Sequence, residues 1–354
     1  MVHLGKSKDG LTELDLKVLH EKALGALAAL AIGDAMGMPV EMLSSEEIRE
    51  IFGVIEDFKR PPPWHIHSSF PPGRVTDDTE LTLLLANAII RTGGNLKAED
   101  FAFELRKWAE SGALKLDYIG PATRRALERL IKGVSPRESG GRGSTCGAAI
   151  RVSPVGIVNA CNYKAAALMA VESSLPTHGG RPALAGASAI ASAIAEAMKE
   201  GSTMDSIARA AISGSKIGEK FGRPVPSPSV SKRIELAVNI SKQIDDPEKA
   251  SLEIRDIIGT GMETAEAVPA AIGIFVASGG DPMRAIRLAV NLGGDTDSIA
   301  SMAGAISGAW KGIQAVDRKM LERVEDVNDL NLEDLAVKLA EIALRKLKAW
   351  SNVE

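Results

Sequence analysis

The strongest constraint on the fold is a series of helical segments made of alanine, glycine, leucine and isoleucine. One starts near Leu16 and runs through KALGALAALAIGDAMG, and another, IASMAGAISGAW, follows Ser298. Small side chains let helices approach closely, so we expect both helices to be buried. Few alternating strand patterns compete, and aromatic residues, which strands favour, make up only 4% of the chain. The sequence therefore predicts an all-α fold of a dozen or so helices.

The predicted organisation is a polar lead-in over residues 1–15 and a single helical domain over residues 16–354. No break in composition marks a linker within that domain. Residues 59–74, KRPPPWHIHSSFPPGR, contain five prolines and are predicted to form an extended loop. Glycine, serine and proline predict two more loops, at 134–147 and 222–233. Further helices are predicted near 44–52, after Thr76, and near 98–110, 119–132, 162–173, 181–200, 203–213, 231–243, 247–258, 264–278, 281–291, 297–312 and 333–350.

Charge and cysteine content exclude several classes of protein. Lys and Arg total 42 against 46 Asp and Glu, a net charge of −4, so there is no basic excess for a nucleic-acid partner. Two cysteines cannot build a disulfide framework, which favours a reducing compartment. A membrane span needs roughly 18 apolar residues in a row. We expect no stretch of that length here, because the most apolar runs are interrupted by glycines, Asp34 or Pro269. The N-terminus lacks a signal-peptide pattern, and we expect a cytoplasmic protein that does not bind membranes.

The first acidic cluster, Thr76, Asp77 and Asp78, stands where the proline-rich loop meets an apolar helix. Helix capping is one explanation, because Thr and Asp satisfy free amides at a helix start. One cap residue would be enough for that role. Two adjacent carboxylates repel each other unless a cation or a raised pKa offsets the repulsion. A metal or catalytic site is therefore the alternative.

The second cluster is Asn291-Leu-Gly-Gly294-Asp295-Thr-Asp297-Ser298, which precedes the second small-residue helix. Buried carboxylates without partners are costly, and carboxylates with hydroxyls are the ligands that Mg²⁺ and Mn²⁺ prefer. Two such clusters could converge on a two-metal centre. Glu41, which follows the first small-residue helix, is either a solvated acid or a general base beside the metals.

Five segments, in this order, resemble motifs of the ADP-ribosylglycohydrolase family and together cover about 280 residues. The segments are GALAALAIGDAMGMPVE, GRVTDDTELTLLL, GSTCGAAIRVSPVGI, LPTHGGRPALAGASAIASAI and GGDTDSIASMAGAISGAWKG. The resemblance implies an all-α fold that contains two Mg²⁺ or Mn²⁺ ions. It implies that the metal ligands are Thr76, Asp77, Asp78, Asp295, Asp297 and Ser298.

The same resemblance implies roles for other positions. Glu41 and Asp78 are the implied catalytic residues. Backbone N–H groups of the loop from Gly143 to Gly147 would approach a diphosphate, and His178 would lie near ribose or phosphate. The substrate-binding residues expected are Asp34, Gly143, Ser144, Thr145, Cys146, Gly147, His178 and Gly294. For His178, a structural role in bonding backbone is the alternative.

Three positions depart from the family pattern. Cys146 stands where many relatives have asparagine, and it lacks the donors and the acceptor of an amide. Ile150 replaces methionine, which is a packing change. Ser298 replaces threonine and keeps the hydroxyl. These changes leave the metal site intact and alter the substrate loop.

We therefore expect metal-assisted hydrolysis of a ribosyl C1″ bond, in which Glu41 or Asp78 handles the proton of the attacking water. The substrate expected is an ADP-ribosyl compound or an ADP-ribosylated protein. One alternative is a small ribosyl compound such as a nucleoside, which the Cys146 loop motivates. Another is a protein that binds metal or ligand without catalysis.

Other candidate sites come from residues outside the two acidic clusters. Trp64, Phe70 and Tyr118 are candidates for stacking on adenine or for packing. His65 and His67 are a weak candidate for a zinc site. Cys146 as a nucleophile is weaker still, because no histidine arrangement supports it.

Overall fold

Helices of 4 to 25 residues make up most of the described part of the chain. The computed structural model describes residues 13–116 and 118–351, and these contain helices and no strands, which confirms the predicted all-α class. The helices are α1 (Glu13–Gly37), α2 (Ser45–Phe52), α3 (Asp77–Arg91), α4 (Ala98–Glu110), α5 (Pro121–Ile131), α6 (Pro136–Ser139), α7 (Gly147–Ile150), α8 (Ser153–Val158), α9 (Tyr163–Ser174), α10 (Arg181–Ala197), α11 (Met204–Gly218), α12 (Val230–Gln243), α13 (Pro247–Ile258), α14 (Thr264–Ala277), α15 (Pro282–Val290), α16 (Thr296–Lys311), α17 (Arg318–Asn328) and α18 (Leu332–Ser351).

The α1–α16 pair is the most extensively packed pair of helices in the described residues. The two backbones touch, because glycines face each other at the contact. A Cβ atom added to Gly25 would lie 2.6 Å from the carbonyl oxygen of Gly308. At the other end of α1, a Cβ on Gly37 would lie 2.3 Å from the Cα of Asp297. The small residues therefore bring the end of α1 against the start of α16, where the second acidic cluster lies.

Helix α10 packs against several neighbours and is buried over nearly its whole length. Alanine and serine dominate its sequence, so α9, α11 and α16 approach it closely. One continuous hydrophobic core runs from Leu19 on α1 to Leu347 on α18. The small-residue segments are thus core helices, as the sequence predicts.

Several sequence-based predictions need correction. Helix α17 lies in a region where no helix is predicted, and three short helices, α6 to α8, occupy residues expected to be loop or left unassigned. Helix α14, by contrast, agrees with the helix predicted near 264–278 and continues through Pro269. Helix α1 begins at Glu13, inside the predicted lead-in, and the rest of that lead-in, residues 1–12, lies outside the described part of the chain.

One segment, Asp15–Val40, is long and apolar enough to cross a membrane by length and composition alone. This corrects the expectation that no apolar stretch is sufficient. The apolar window is entirely buried inside the protein, and the core helix of a folded domain passes the same test. Packing against α16 accounts for its apolar character.

Candidate active site

A cleft lies where the end of α1 meets the starts of α3 and α16. It contains about 540 Å³ of empty space, part of which is open to solvent. The two acidic clusters, far apart in sequence, both face this cleft. Its polar walls include Glu41, His67, Thr76, Asp77, Asp78, Tyr118, Thr145, Cys146, His178, Asp295, Asp297 and Ser298.

The first cluster is positioned by the start of α3. Thr76 is the N-cap, and its hydroxyl accepts a hydrogen bond from the Asp78 N–H at 3.2 Å. Capping is therefore done by the threonine, and the carboxylates of Asp77 and Asp78 are left for other contacts. The Ser298 hydroxyl donates to Asp78 Oδ2 at 3.1 Å, which joins the two clusters directly.

Asp34 is a correction to the predicted substrate-binding set. Its side chain is fully buried and does not line the cleft. The carboxylate accepts hydrogen bonds from the backbone N–H groups of Thr76 and Thr79 and from the Thr79 hydroxyl. Asp34 therefore fixes the first turn of α3 from behind and acts on the ligand only through that helix.

The second cluster is positioned by the start of α16. The Asp295 N–H donates to the carbonyl of Thr260 at 2.7 Å, and the Ser298 N–H donates to Asp297 Oδ1 at 2.9 Å. The Cys146 thiol donates to Asp295 Oδ2 at 3.0 Å. The cysteine that departs from the family pattern thus contacts a carboxylate of the site.

Gly294 is a second correction, because it does not line the cleft. Its φ of 82° is in the left-handed region, and an added Cβ would lie 2.2 Å from the Thr260 carbonyl oxygen. Its N–H donates to the Leu43 carbonyl, and its carbonyl accepts from the Met42 N–H at 2.7 Å. Gly294 therefore attaches the segment that carries Glu41 to the second acidic cluster.

Glu41 joins the second cluster in space. One ligand atom from each of Glu41, Asp295 and Asp297 can be chosen so that all three lie within 4.8 Å of one another. Such spacing fits a single cation between oxygen donors. The structure thus brings together the three segments whose acids stand out in the sequence.

Loss of hydration controls the electrostatics of the four aspartates, of which Asp295 and Asp297 are buried and Asp77 and Asp78 are half-buried. Desolvation is the largest influence and neighbouring carboxylates add to it, so the pKa of Asp77 is raised to about 8 and that of Asp295 to about 6. The pKa values of Asp78 and Asp297 are raised well above the ordinary range for the same reasons. Within the described ranges, none of the four makes an ion pair with a basic side chain. A bound cation would remove this electrostatic cost.

Two histidines of the proline-rich loop hold Glu41. His65 Nε2 lies 2.9 Å from the Glu41 carbonyl oxygen, and His67 Nε2 lies 2.8 Å from Glu41 Oε2. The backbone N–H of His67 donates to His65 Nδ1, so the ring proton of His65 is on Nε2. His65 Nε2 therefore donates to the Glu41 carbonyl oxygen. Both Nε2 atoms thus face Glu41 rather than a shared zinc ion, and a zinc site at these histidines is not supported.

Only part of the predicted substrate loop, residues 143–147, lines the cleft. Thr145, Cys146 and Gly147 line the cleft with His178, whereas Gly143 and Ser144 do not. The Ser144 hydroxyl donates to Glu263 Oε2 at 2.9 Å. The Gly143 and Cys146 N–H groups donate to carbonyl oxygens of the protein, so the predicted backbone cradle for a diphosphate could use only the remaining amides of this loop.

Cys146 does not have the properties of a nucleophile. Burial, together with the charges of Asp295 and Asp78, raises the pKa of its thiol well above the ordinary value. The thiol therefore stays protonated and donates to Asp295, whereas a nucleophilic cysteine needs the thiolate.

The three candidate stacking residues have different surroundings. Tyr118 lines the cleft and packs against Phe70, with ring centroids 5.2 Å apart. Phe70 also packs against His67 at 5.3 Å, so it supports the wall from behind. Trp64 is 64% exposed and does not line the cleft. Only Tyr118 has the position for contact with a ligand inside the cleft.

Some residues of the site carry no clear signal in the sequence. The pairing of His67 with Glu41 depends on the path of an irregular loop. The His-x-His pattern marks the two histidines as candidate ligands but does not indicate their contact with Glu41. Met262 lines the cleft and its carbonyl accepts from the Cys146 N–H, and nothing in the sequence around it indicates this.

Comparison with known proteins gives matches over nearly the whole chain. Residues 15–349 match the family model for ADP-ribosylglycohydrolase. The uncharacterised protein YegU of Escherichia coli (strain K12) is 34% identical over 324 residues, which are 90% of this chain and 96% of YegU. The ADP-ribosylarginine hydrolase Tri1 of Serratia proteamaculans (strain 568) is 28% identical over 90% of this chain and 79% of its own length. A solved structure described as an ADP-ribosylglycohydrolase-related protein complex has a TM-score of 0.70 and 25% identity, covering 92% of this chain and 99% of that one.

Proposed function

This chain belongs to the ADP-ribosylglycohydrolase family, as its motifs predict, and is a hydrolase; from that premise we propose that it cleaves the C1″ glycosidic bond of an ADP-ribosyl compound or an ADP-ribosylated side chain. The convergence of Glu41 with Asp295 and Asp297 in one cleft carries the proposal. A relative that is named an ADP-ribosylarginine hydrolase supports the substrate class.

Divalent cations fit the acidic site. The donors are all oxygen atoms, and Asp77 and Asp295 have raised pKa values with no basic side chain paired to them in the described part of the chain. We propose that Mg²⁺ or Mn²⁺, in a pair, is held by Thr76, Asp77, Asp78, Asp295, Asp297 and Ser298. When bound, such cations supply positive charge that polarises ribose oxygens and lowers the pKa of water in the cleft.

Glu41 is the general base in this proposal, so its carboxylate is not one of the cation ligands, although its spacing to Asp295 and Asp297 would also suit direct contact with a cation. One carboxylate oxygen accepts from His67, which fixes the orientation of the group. The proton of the attacking water passes to Glu41 while the water oxygen bonds to C1″; the departing group leaves with the electron pair of the broken bond and takes up the proton that Glu41 removed. Asp78 is the weaker candidate, because the Ser298 hydroxyl already donates to it and its pKa is raised well above the usual range. The remaining carboxylates stabilise the oxocarbenium-like transition state.

Calorimetric titration with ADP-ribose tests the ligand class. We expect binding in the presence of Mg²⁺ or Mn²⁺ and its loss after EDTA. Binding that is unchanged by EDTA would remove the cations from the ligand site. Equal affinity for ADP-ribose and free ribose, with turnover of nucleosides, would replace the proposal with a small ribosyl substrate.

Turnover of arginine- and serine-linked ADP-ribose tests the mechanism. We expect Glu41→Gln to lower kcat by about 100-fold or more, because positioned general bases contribute on the order of 10²–10⁴-fold. Glu50→Gln is the matched control, since Glu50 is an exposed acid on α2. Full turnover by the Glu41 variant would exclude Glu41 as the base.

A further inference from the structure

Four buried or half-buried side chains form a continuous line of hydrogen bonds that ends at the cleft. The Arg151 Nη2 donates to the Thr177 hydroxyl at 2.6 Å, and that hydroxyl lies 2.8 Å from His178 Nδ1. On the other side of the ring, His178 Nε2 lies 3.0 Å from the Thr145 hydroxyl. Arg151 and Thr177 are 0% exposed and His178 is 1% exposed, whereas Thr145 reaches the cleft.

The position of each proton follows from the donors at the start of this line. Arginine has only donors, so the Thr177 oxygen must accept from Arg151. The Thr177 proton then has one acceptor in the line, His178 Nδ1. If Nδ1 carried a proton instead, the Thr177 hydroxyl proton would be left without an acceptor in a fully buried site, which is costly. The neutral His178 ring is therefore protonated on Nε2.

A charged His178 is excluded by its surroundings. Full burial is the largest influence on its pKa, and the positive charges of Arg151 and Arg125 act in the same direction. The pKa of His178 is thus held well below its ordinary value, and the ring is neutral at physiological pH.

The last step concerns Thr145. Since His178 Nε2–H donates to its oxygen, the Thr145 proton cannot point at the ring and is free to be donated elsewhere. The Thr145 side chain lines the cleft, next to Cys146 and Gly147. Gly147 is also close to the ring, because an added Cβ would lie 3.1 Å from His178 Cε1. The histidine is 1% exposed and contacts a threonine hydroxyl on each side of its ring, which fixes it toward Thr145.

We propose that Arg151, Thr177 and His178 are positioning residues that set the Thr145 hydroxyl as a fixed donor into the cleft, where it selects an acceptor oxygen of the bound ribosyl compound. The identity of that compound rests on the proposed function, whereas the direction of the hydroxyl does not. The acceptor is an oxygen of phosphate or of ribose. Thr145 is thereby a specificity-determining residue whose hydroxyl proton is directed at its ligand.

The tautomer of His178 tests the line of hydrogen bonds without any ligand. Nitrogen-15 NMR of the histidine-labelled wild-type chain resolves five histidines, and the His178→Gln variant assigns the signal. We expect His178 to be protonated on Nε2 and bare on Nδ1. Thr177→Ser should keep this pattern, and Thr177→Val should lose it. A dominant Nδ1–H form, or a charged ring, in the wild-type protein would overturn the proposal even if the enzyme is fully active.

Calorimetry of Thr145 variants tests the use of the hydroxyl. Thr145→Val, which keeps the shape and removes the donor, should weaken ADP-ribose binding by about 5- to 10-fold, the size of one net hydrogen bond. Thr145→Ser should bind within about twofold of wild type. A parallel loss for free ADP but not for ribose would assign the acceptor to phosphate, and the reverse would assign it to ribose. Unchanged affinity in Thr145→Val would overturn the proposed selection. Failure of the wild-type chain to bind ADP-ribose would count against the proposed function alone, because the NMR result stands without it.

Discussion

Glu41 shows how the side chain that we propose as the general base is held by residues to which the proposal gives no chemical step. Its carbonyl and its carboxylate each contact a histidine, and the next residue, Met42, has a left-handed φ of 63°. That conformation is unusual for a side chain larger than glycine. The Met42 N–H donates to Gly294, so the segment is fixed from both sides.

His67 should therefore matter for turnover more than for binding. We expect His67→Phe to lower kcat by roughly 10- to 100-fold, the scale of a small misplacement of a reacting group, with KM changed far less. His67→Gln keeps a donor and should recover part of the loss. Steady-state kinetics measures both variants, and cation titration should show unchanged affinity. A Phe variant as active as the Gln variant would contradict the positioning role.

At this scale, the sequence indicates which residues are chemically costly but not which face each other. The four aspartates stand out because adjacent or alternating acids at helix starts repel one another. Asp34 is predicted as one more site residue, whereas its burial behind α3 depends on how α1 crosses that helix. The direction of a buried carboxylate is set by tertiary contacts, which no local pattern contains.

Among the helices, α14 shows how a proline can be tolerated in a buried element. Pro269 has no N–H for the carbonyl of Ala265, which lies one turn earlier. Arg233 on α12 donates to that carbonyl at 3.0 Å, and also to the Ile258 carbonyl at 3.0 Å. A neighbouring helix therefore supplies the missing donor.

This contact predicts coupling between two positions. Arg233→Met should lower the free energy of unfolding by about 1–3 kcal/mol, because a buried carbonyl loses its partner. In a Pro269→Ala background the cost should be smaller by about 1 kcal/mol, since the substituted residue has an N–H that can donate to the Ala265 carbonyl. Thermal unfolding of the four proteins gives the coupling, with exposed Lys232→Met as the control. Equal costs in both backgrounds would contradict the account.

Helix positions are predictable where small and apolar residues continue over several turns without a break, and α10 and α16 are examples. Helix α17 is missed by the sequence analysis because it buries only Met320, Leu321 and Val324, and most of its other residues are charged. Helices α6 to α8 have four to six residues each, which is too short for a periodic pattern. Their positions are fixed by packing against longer helices.

For the molecule as a whole, the acidic site makes the metal-free protein sensitive to pH. The pKa of Asp77 is raised from 3.8 to about 8, and that of Asp295 to about 6. Between about pH 4 and pH 8 the folded protein thus binds more protons than the unfolded chain. Linkage then requires stability to fall as pH rises through this window.

Thermal unfolding of EDTA-treated protein tests this sign. We expect the Tm to be lower at pH 8 than at pH 5.5. Added Mg²⁺ or Mn²⁺ should raise the Tm more at pH 8, because cation binding needs deprotonated carboxylates. A metal-free Tm that rises between pH 5.5 and pH 8, with no larger cation effect at pH 8, would show that the cluster does not govern stability.

Removing the half-buried charge of Asp77 should have opposite effects with and without cation. Asp77→Asn should raise the Tm of the metal-free protein at pH 8 by a few degrees and should reduce the cation-induced increase. The substitution keeps an acceptor for the Gly120 N–H, which lies 3.5 Å from Asp77 Oδ2. Glu341→Gln, at an exposed position on α18, should change neither quantity. Destabilisation of the metal-free protein by Asp77→Asn would contradict this electrostatic account.

The glycine contacts between α1 and α16 have a consequence for how activity can change by mutation. Gly25 and Gly37 are twelve residues apart on one helix, a distance of about 18 Å at the rise of an α-helix. A methyl group at Gly25 would push the helices apart at one end and tilt the acids at the other. Laboratory evolution that alters cation choice or turnover should therefore recover substitutions along the α1–α16 contact, far from the cleft, as well as in the cleft itself. A survey confined to cleft residues would miss them.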